Sequence, residues 1–364
     1  MTVSFGRVAI IGVGMVGGSL GKAMLTRELA REIVGFDTSS GVLQQALSLG
    51  AVTRQASSLQ EAVLDADLVV LAAPVLATLQ LLSEIAPFLT AGTLVTDVCS
   101  TKEAVALRAA ESLPTTVSFI GGHPMSGSEK EGVAALDENL FENAFYLLTG
   151  QSGLERMEAL VRELGAVPLV LQPQKHDQLV AAVSHLPHVA ATALVQAVAG
   201  LHETDELLVL AASGFRDTTR VAMGSPHMWK DICLSNRENI VTLLDLLVQE
   251  LQSVRRLVAA SNTEGLLTHF QQARTFRQQV PLRGKGILPL IYNLYVYVPD
   301  QPGIIGEVTG LVGKGGVNIA EIELLRMREE EGGPLRVGFM SAEGSRLAAR
   351  VLETEGFRVE MQEG

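Results

Sequence analysis

The segment that most constrains the fold of this chain is VAIIGVGMVGGSLG, residues 8–21. It places Gly12, Gly14 and Gly17 in a G-x-G-x-x-G spacing, after an apolar run typical of a strand and at the start of a helical pattern. In that context the first glycine permits a tight turn, the second lets the backbone approach a pyrophosphate, and the third lets helix and strand pack closely. The segment therefore predicts a dinucleotide site at a helix N-terminus, and the alternative is a glycine turn that binds no nucleotide.

An acidic residue follows at the position that such a site requires. Asp37 ends the next strand candidate, EIVGFD, twenty residues after Gly17. A carboxylate there accepts hydrogen bonds from ribose hydroxyls and repels a 2′-phosphate, so the sequence favours NAD over NADP as the cofactor. We assign the cofactor contacts to Gly12, Gly14, Met15, Val16, Gly17, Asp37, Ala73 and Pro74.

Short β-rich runs alternate with helical stretches through the first half of the chain. The runs are RVAIIG, EIVGFD, LVVLAAP, LVTDVCS, SFIGGHP, FYLLTG and VPLVLQP. Buried strands separated by helices are typical of a doubly wound, mostly parallel sheet. We therefore predict an α/β Rossmann domain over residues 1–173.

The rest of the chain divides into three segments. Residues 174–279 carry helical patterns without strand signals, and residues 280–289 read as a linker because two prolines and two glycines fall within ten residues. Residues 290–364 follow the order strand, helix, strand, strand, helix, strand, which predicts a ferredoxin-like βαββαβ domain. The apolar stretch at residues 186–201 is short for a bilayer and contains a histidine and a proline, so we expect a helix buried between domains or subunits, and a dimer.

Composition excludes several classes of function. A net charge of −12 over 364 residues argues against a nucleic-acid-binding protein. Two cysteines, Cys99 and Cys233, give neither a disulfide framework nor a metal-ligand spacing, which is typical of thiols in a reducing cytosol. The N-terminal segment MTVSFGRVAIIG lacks the basic region and cleavage site of a signal peptide. We expect a cytoplasmic protein that binds no metal and no membrane.

Small or polar residues end three of the predicted strands, at 73–74, 99–101 and 122–124. Because ligands bind beyond the carboxyl ends of the strands in open α/β sheets, these residues are expected to line one crevice beside the cofactor. His123 lies in GGHPMSGSEKEG, where glycines would let backbone and substrate come close and Pro124 would stiffen the strand exit. The alternative is a structural histidine in a turn.

The helical segment supplies further candidates. KHDQLVAAVSHLPH, residues 175–188, contains His176, Asp177, His185 and His188. A metal site built from these histidines is conceivable, but no carboxylate or cysteine repeats at ligand spacing. Pro187 is expected to start or kink a helix.

Two arginines follow in GFRDTTR, residues 214–220. Arg216 and Arg220 are four residues apart, so on a helix they would share a face. A surface ion-pair face is one interpretation, but the apolar flanks favour partly buried arginines that bind carboxylates. The single tryptophan, Trp229, is predicted to be a core or dimer contact, or to close the crevice from a second subunit.

Together the opening fingerprint, DVCSTK, GGHPMSGSEKEG, HDQLVAAVSHLPH and GFRDTTRVAMGSPHMWKDI resemble the prephenate dehydrogenase family over residues 5–275. The segment DQPGIIGEVTGLVGKGGVNIAEI resembles an ACT domain, a fold that often binds amino acids as regulators. The resemblance implies a Rossmann domain, an all-α dimerisation domain and a ferredoxin-like ACT domain. It also implies NAD-dependent oxidative decarboxylation of prephenate to 4-hydroxyphenylpyruvate in a homodimer, with tyrosine as the expected effector.

The resemblance also implies roles for individual residues. His123 would contact the substrate 4-hydroxyl, oriented by Ser100, and Arg220 would bind a substrate carboxylate with help from His188. The pocket would be shaped or gated by Asp177, Asp217, Ser128 and Glu129, with Trp229 approaching from the partner subunit. The effector would contact Asp300, Gln301, Pro302, Gly303, Ile304, Asn318 and Ile319.

Three alternatives remain open at this stage. Arogenate would be the substrate if the pocket prefers an ammonium side chain to a keto group. A reductase or β-hydroxyacid dehydrogenase of similar build would rely on a lysine, for which Lys175 and Lys230 are present without a convincing apolar pocket pattern. A sensor that binds NAD and an amino acid without turnover would not need the His, Ser and Arg residues at the strand ends.

Overall fold

In the computed structural model, the described residues are 4–126, 132–201, 207, 209–280, 292–325 and 333–361. The chain divides into two compact units, Met1–Gly286 and Ile287–Gly364. Apart from Val280, the predicted linker at 280–289 lies outside the described residues.

The first unit contains a mostly parallel sheet, as predicted. Its strand order is β3-β2-β1-β4-β5-β6-β7-β8, and the only antiparallel pair among these described strands is β6 with β7. The short β3 was not among the predicted strands. The strands are β1 Phe5–Ile11, β2 Ala30–Phe36, β3 Arg54–Gln55, β4 Leu68–Leu71, β5 Leu94–Asp97, β6 Ser118–Pro124, β7 Phe145–Thr149 and β8 Val167–Val170.

Hydrophobic cores lie on both faces of this sheet. Successive side chains of β1 alternate between the two, with Val8 and Ile10 in one cluster and Ala9 and Ile11 in the other. This two-sided burial explains the uninterrupted apolar runs in the sequence. The covering helices are α1 Met15–Thr26, α2 Ser40–Ser48, α3 Leu59–Val63, α4 Val75–Ile85, α5 Glu103–Ser112 and α6 Leu154–Glu163.

The second half of this unit is helical, as predicted. Its helices are α7 Pro173–Val180, α8 Leu186–Ala199, α9 Ser213–Thr219, α10 Pro226–Ser235, α11 Arg237–Ala259 and α12 Thr263–Gln279. A π-helical turn, Ala181–His185, joins α7 to α8 just before Pro187, whose missing N–H interrupts the regular ladder. By length and composition alone, the helical run Pro173–Ala199 could cross a membrane. Within the single chain, 28% of its most apolar 18-residue stretch is buried.

The second unit has the element order predicted from the sequence. Its antiparallel sheet has the order β10-β11-β9-β12, and one face packs on the two helices. Residues of β9 alternate between buried and half-buried, as expected for a sheet covered on one side. The elements are β9 Tyr292–Val298, α13 Ile304–Lys314, β10 Glu321–Leu324, β11 Gly333–Phe339, α14 Ala342–Thr354 and β12 Arg358–Met361.

Candidate active site

The glycine turn between β1 and α1 has the geometry of a dinucleotide cradle. Gly12 has a φ of +91°, and a Cβ there would collide with the Ala72 carbonyl oxygen. A Cβ on Gly17 would collide with the Gly12 carbonyl oxygen, whereas a Cβ on Gly14 would meet nothing within 4 Å. Gly12 and Gly17 are therefore required by packing, and the space beside Gly14 is open to a pyrophosphate at the N-terminus of α1.

Asp37 links the glycine turn, through Val13, to the turn that begins α2, through Ser39. Its Oδ2 accepts a hydrogen bond from the Val13 amide at 3.1 Å, and its Oδ1 accepts one from the Ser39 amide at 2.9 Å. The carboxylate is half-buried at the end of β2, on the side of the sheet where the glycine turn lies. The turn and the acid thus fit the diphosphate and ribose of NAD, although the structural role of Asp37 was not predicted.

A cavity of about 620 Å³ opens beside the glycine turn. The three strand ends that were predicted to share a crevice do line it, together with residues of the helical segment. From the sheet side the lining includes Gly14, Met15, Val16, Ala73, Pro74, Cys99, Ser100, His123 and Pro124. From the helical side it includes Ser184, His185, Gly224, Ser225, Met228, Trp229 and Ile232.

His123 lies at the wall of this cavity with its ring almost fully buried. Its Nδ1 is 2.9 Å from Nε2 of His176 on α7. Burial lowers the pKa of His123 well below its usual value, and the neighbouring His176, Lys102 and His185 lower it further. The imidazole is therefore neutral at physiological pH and can accept a proton.

His176 and Asp177 form a hydrogen-bonded pair behind His123, and both are buried. Nδ1 of His176 is 2.7 Å from Oδ1 of Asp177. The same carboxylate accepts hydrogen bonds from the backbone amides of Lys102, at 2.7 Å, and Glu103, at 3.0 Å. Asp177 therefore anchors α7 to the start of α5 and is not among the residues that line the cavity, and His176, a candidate in the sequence, was given no role there.

A buried ion pair supports the strand that carries His123. Lys102 and Asp97 are both fully buried and joined by their side chains. The Asp97 carboxylate also accepts hydrogen bonds from the amides of Gly122, at 3.2 Å, and Cys99, at 2.9 Å. This acid at the end of β5 thereby fixes the adjacent end of β6.

The two glycines before His123 have a purpose beyond the one predicted. A Cβ on Gly122 would lie 2.6 Å from the Asp97 carbonyl oxygen, and a Cβ on Gly121 would collide with Oγ1 of Thr149. Close packing of β6 against β5 and β7 therefore requires these glycines, a role that was not predicted.

An aromatic cluster supports the helical wall of the cavity, which its members Trp229 and His185 line. The His188 ring is stacked on Trp229, with centroids 3.5 Å apart, and His185 meets the same indole edge-on. A Cβ on Gly224 would lie within 3 Å of both Trp229 and His188, so this contact requires glycine. The indole lines the cavity of its own chain, whereas the resemblance implied that it approaches from the partner subunit.

His185 is held by Asn236. The Asn236 amide donates to the Asp177 carbonyl oxygen at 2.9 Å, and the same nitrogen is 3.2 Å from Nδ1 of His185. Burial lowers the pKa of His185 to about 4, so this ring too is neutral. Neither residue was assigned a role from the sequence.

The remaining predicted substrate residues lie elsewhere. Arg216, Asp217 and Arg220 are exposed, which contradicts the expectation of partly buried arginines, and none of the three lines the described cavity wall. The helix α9 ends at Thr219, so Arg220 starts a separate 3₁₀ turn and does not continue the helical face of Arg216.

The predicted pocket residues Ser128 and Glu129 lie outside the described residues. Within the described ranges no three of His, Cys, Asp and Glu are grouped to hold a metal ion.

The predicted effector residues Asp300 to Ile304 lie at the start of α13 in the second unit, whereas Asn318 and Ile319 follow the end of that helix, before β10. Gly303 has a φ of +91° and precedes the helix, after the exposed residues Asp300, Gln301 and Pro302. Asn318 is exposed. Ile304 is buried in the core of this unit, so its side chain supports the loop from within, and Ile319 packs against the same core.

These features define a NAD-dependent oxidoreductase: a doubly wound sheet, a dinucleotide-binding glycine turn and a neutral imidazole in the adjoining cavity. The family model described as prephenate dehydrogenase, nucleotide-binding domain, matches residues 20–169, and that of the prephenate dehydrogenase dimerization domain matches residues 172–272. The chain belongs to the prephenate dehydrogenase family.

Individual relatives agree with this assignment. The chain is 38% identical over 356 residues to prephenate dehydrogenase of Bacillus subtilis (strain 168), a match covering 95% of each protein. It is 34% identical over 350 residues to prephenate dehydrogenase of Lactococcus lactis subsp. cremoris, covering 95% of this chain and 97% of the relative.

Solved structures give the same fold. The prephenate dehydrogenase of A. aeolicus, in complex with hydroxyphenyl propionate and NAD⁺, superimposes with a TM-score of 0.72 at 28% identity, over 77% of this chain and 100% of the other. Synechocystis arogenate dehydrogenase gives a TM-score of 0.65 at 30% identity, over 76% and 100%.

Proposed function

We propose that the chain oxidises prephenate to 4-hydroxyphenylpyruvate and CO₂, with NAD as the oxidant. The observation that carries this proposal is the neutral, buried His123 at the wall of a cavity that the dinucleotide turn also lines. The family assignment supports the choice of prephenate.

The cofactor site is built from residues that fit NAD. The open side of Gly14 and the N-terminus of α1 would hold the diphosphate, and Asp37 would accept hydrogen bonds from the ribose. NAD, when bound, supplies the acceptor for the hydride that leaves C4 of the substrate. Met15, Val16, Ala73 and Pro74, which line the cavity, would contact the cofactor.

His123 performs the acid-base part of the reaction. The hydroxyl on C4 must lose its proton as that carbon becomes a carbonyl, and a neutral imidazole is a suitable acceptor. Nδ1 is engaged by His176, so the other ring nitrogen receives the proton. Ser100 lines the same cavity and would hold the hydroxyl against the ring. Loss of CO₂ restores aromaticity and makes the reaction irreversible.

The substrate's two carboxylates require cationic or hydrogen-bonding partners. Following the family resemblance, we assign one to Arg220, helped by His188. Arg220 starts the 3₁₀ turn Arg220–Met223, and the next residue, Gly224, lines the cavity against Trp229 and His188. Asp217, Ser128 and Glu129 are assigned to the rim of the pocket, following the family resemblance.

The surface of the helical segment supports a homodimer. Large apolar side chains on α11 and α12 are exposed in the single chain, including Leu251, Leu267, Phe270 and Phe276. Exposed apolar side chains grouped in this way are typical of a subunit interface, and the family's dimerisation model matches residues 172–272, which include α11 and the first part of α12.

The second unit is proposed to be an ACT domain that binds tyrosine through the loop at Asp300–Ile304, with Asn318 and Ile319 from across an interface. Its βαββαβ order and the left-handed Gly303 at the helix start support this proposal. The matches to the Bacillus and Lactococcus relatives cover 95% of the chain, so they include part of this unit.

The test is the rate of NADH formation by the purified full chain. Prephenate and arogenate are each supplied with NAD, then with NADP, in the presence and absence of tyrosine. The proposal expects turnover of prephenate with NAD and a change in rate with tyrosine. Equal or faster turnover of arogenate would reassign the substrate, and NAD binding without NADH formation from either compound would make the protein a sensor.

A further inference from the structure

We propose that Asp177 and His176 fix the tautomer of His123, placing a proton on its Nδ1 and leaving its Nε2 as the acceptor that faces the cavity. This inference rests on the proposed function, since it names the ring nitrogen that takes the substrate proton. It makes His176 and Asp177 positioning residues, which act through His123 and do not touch the substrate.

The first step is the direction of the hydrogen bond between Asp177 and His176. An ionised carboxylate only accepts hydrogen bonds. The Asp177 carboxylate accepts two from the backbone amides of Lys102 and Glu103 at the start of α5, where the helix end also favours negative charge. Nδ1 of His176, 2.7 Å from Oδ1, is therefore the donor.

The second step follows from the chemistry of imidazole. A neutral ring carries one N–H and one unprotonated nitrogen. With its proton on Nδ1, neutral His176 presents an unprotonated Nε2, which accepts from Nδ1–H of His123 across 2.9 Å. The order of proton positions along Asp177, His176 and His123 is thereby set, and Nε2 of His123 is left unprotonated.

The competing arrangement has His176 as an imidazolium. Its Nε2–H would then donate to Nδ1 of His123, and the neutral His123 would present Nε2–H to the substrate hydroxyl. A ring in that state has no free nitrogen for the substrate proton. The working base therefore requires neutral His176.

The same chain of groups stabilises the charge that forms during turnover. When Nε2 of His123 takes a proton, the ring becomes an imidazolium whose Nδ1–H still points at an acceptor. The charged and titratable groups around it are His176 from α7, Lys102 from the start of α5 and His185 from the π-helical turn. Lys102, itself paired with Asp97, opposes a second positive charge, and we assign the compensation of that charge to the Asp177 carboxylate behind His176.

This assignment also separates His176 from Ser100. The family resemblance gives Ser100 the orienting role, but the contact at Nδ1 comes from His176 and Ser100 lines the cavity. Ser100 is thus placed on the substrate side of the ring and His176 on the protein side.

The test is nitrogen NMR of the full chain labelled at the rings of its seven histidines. Protonated and unprotonated ring nitrogens resonate in well-separated regions, so each tautomer is read directly. In the wild-type protein we expect His123 protonated at Nδ1 only, and His176 protonated at Nδ1 only. An Nε2–H signal from His123, or an imidazolium signal from His176, overturns the inference without any variant.

Two substitutions of His176 provide the functional arm. His176→Leu removes the acceptor, so the proton on His123 should shift to Nε2 and kcat should fall by ~10²-fold or more with KM within about threefold of the wild-type value. His176→Gln keeps an acceptor oxygen and should preserve the Nδ1–H state and recover at least about tenfold of that loss. A His176→Leu protein in which His123 retains Nδ1–H contradicts the proposal.

A matched control and a separate criterion keep the two proposals distinguishable. His269→Gln changes a histidine on α12, outside the cavity wall, and should leave both the His123 signals and kcat unchanged. If the wild-type protein shows the expected tautomers but forms no NADH from prephenate, the proposed function fails and the tautomer assignment stands. If it forms NADH with the opposite tautomer, only this inference fails.

Discussion

The buried pair of Lys102 and Asp97 gives the sharpest test of how the active-site strand is held. Both side chains are fully buried, and the Asp97 carboxylate is also bonded to two backbone amides. Lys102→Met leaves that carboxylate buried without its counter-charge. Loss of one partner from a buried ion pair costs about 3–5 kcal/mol of unfolding free energy.

The assay follows unfolding in urea and on heating through the fluorescence of Trp229, the single tryptophan, which lies in the same unit. At about 2–4 °C per kcal/mol for a domain of this size, the expected loss corresponds to a fall in Tm of roughly 6–20 °C. Arg162→Met is the matched control, because it removes an exposed ion pair to Glu158 and should cost at most about 0.5 kcal/mol.

A double variant separates lost charge pairing from lost packing. Asp97→Asn combined with Lys102→Met removes both charges and keeps an amide oxygen near Gly122, so it should be more stable than Lys102→Met alone. If Lys102→Met lies within about 1 kcal/mol of wild type, or the double variant is the less stable protein, the pair does not support β6 in the way described.

His123→Asn should lower kcat by ~10²- to 10⁴-fold with a smaller change in KM, and near-wild-type turnover would remove the ring from the acid-base step. Arg220→Gln should mainly raise KM for prephenate, because the lost contact exists in both the ground and transition states; an unchanged KM would exclude it. Because burial lowers the pKa of His123, the acid limb of kcat/KM should lie below pH 6.5, and a limb at or above that value would show an ordinary imidazole. Burial also lowers the pKa of His185 in the folded protein to about 4, so the unfolded chain binds more protons below pH 6.5. The contribution of this ring to the unfolding free energy should therefore be complete above pH 6.5 and be lost between about pH 6.5 and 4. Urea titrations that show no loss of unfolding free energy over that range would contradict this.

The parts of the site that the sequence predicted are those encoded over short distances. The turn at Gly12–Gly17 is specified by sterics within one strand-turn-helix unit, and Asp37 follows at the end of the next strand. His123 was predicted to lie in the cleft because the carboxyl ends of parallel strands meet at one edge of the sheet, where ligands bind. A polar residue at the end of such a strand is therefore enough to indicate a site residue. The same rule placed Pro74 and Ser100 in the cavity.

The parts that were missed depend on contacts between distant segments. His176 lies 53 residues from His123 in sequence, and only the docking of α7 against α5 brings the two rings together. The adjacent His176 and Asp177 were a signal, but their spacing alone does not tell a metal ligand from a hydrogen-bonded pair. The resemblance placed Trp229 on a partner subunit, and the sequence does not show that Gly224 lets the indole stack on His188 of the same chain.

The buried charges at the edge of β5 and β6 are better explained by geometry than by stability. A well-packed apolar pair of similar volume would give equal or greater stability than Lys102 with Asp97. It would not, however, accept hydrogen bonds from the amides of Gly122 and Cys99, which fix the two strand ends that line the cavity. The backbone amide of Lys102 also bonds Asp177, the group behind His176. Any residue except proline could supply that amide, so the buried lysine side chain is accounted for by the Asp97 carboxylate, whose charge it balances while that carboxylate fixes the strand that carries His123.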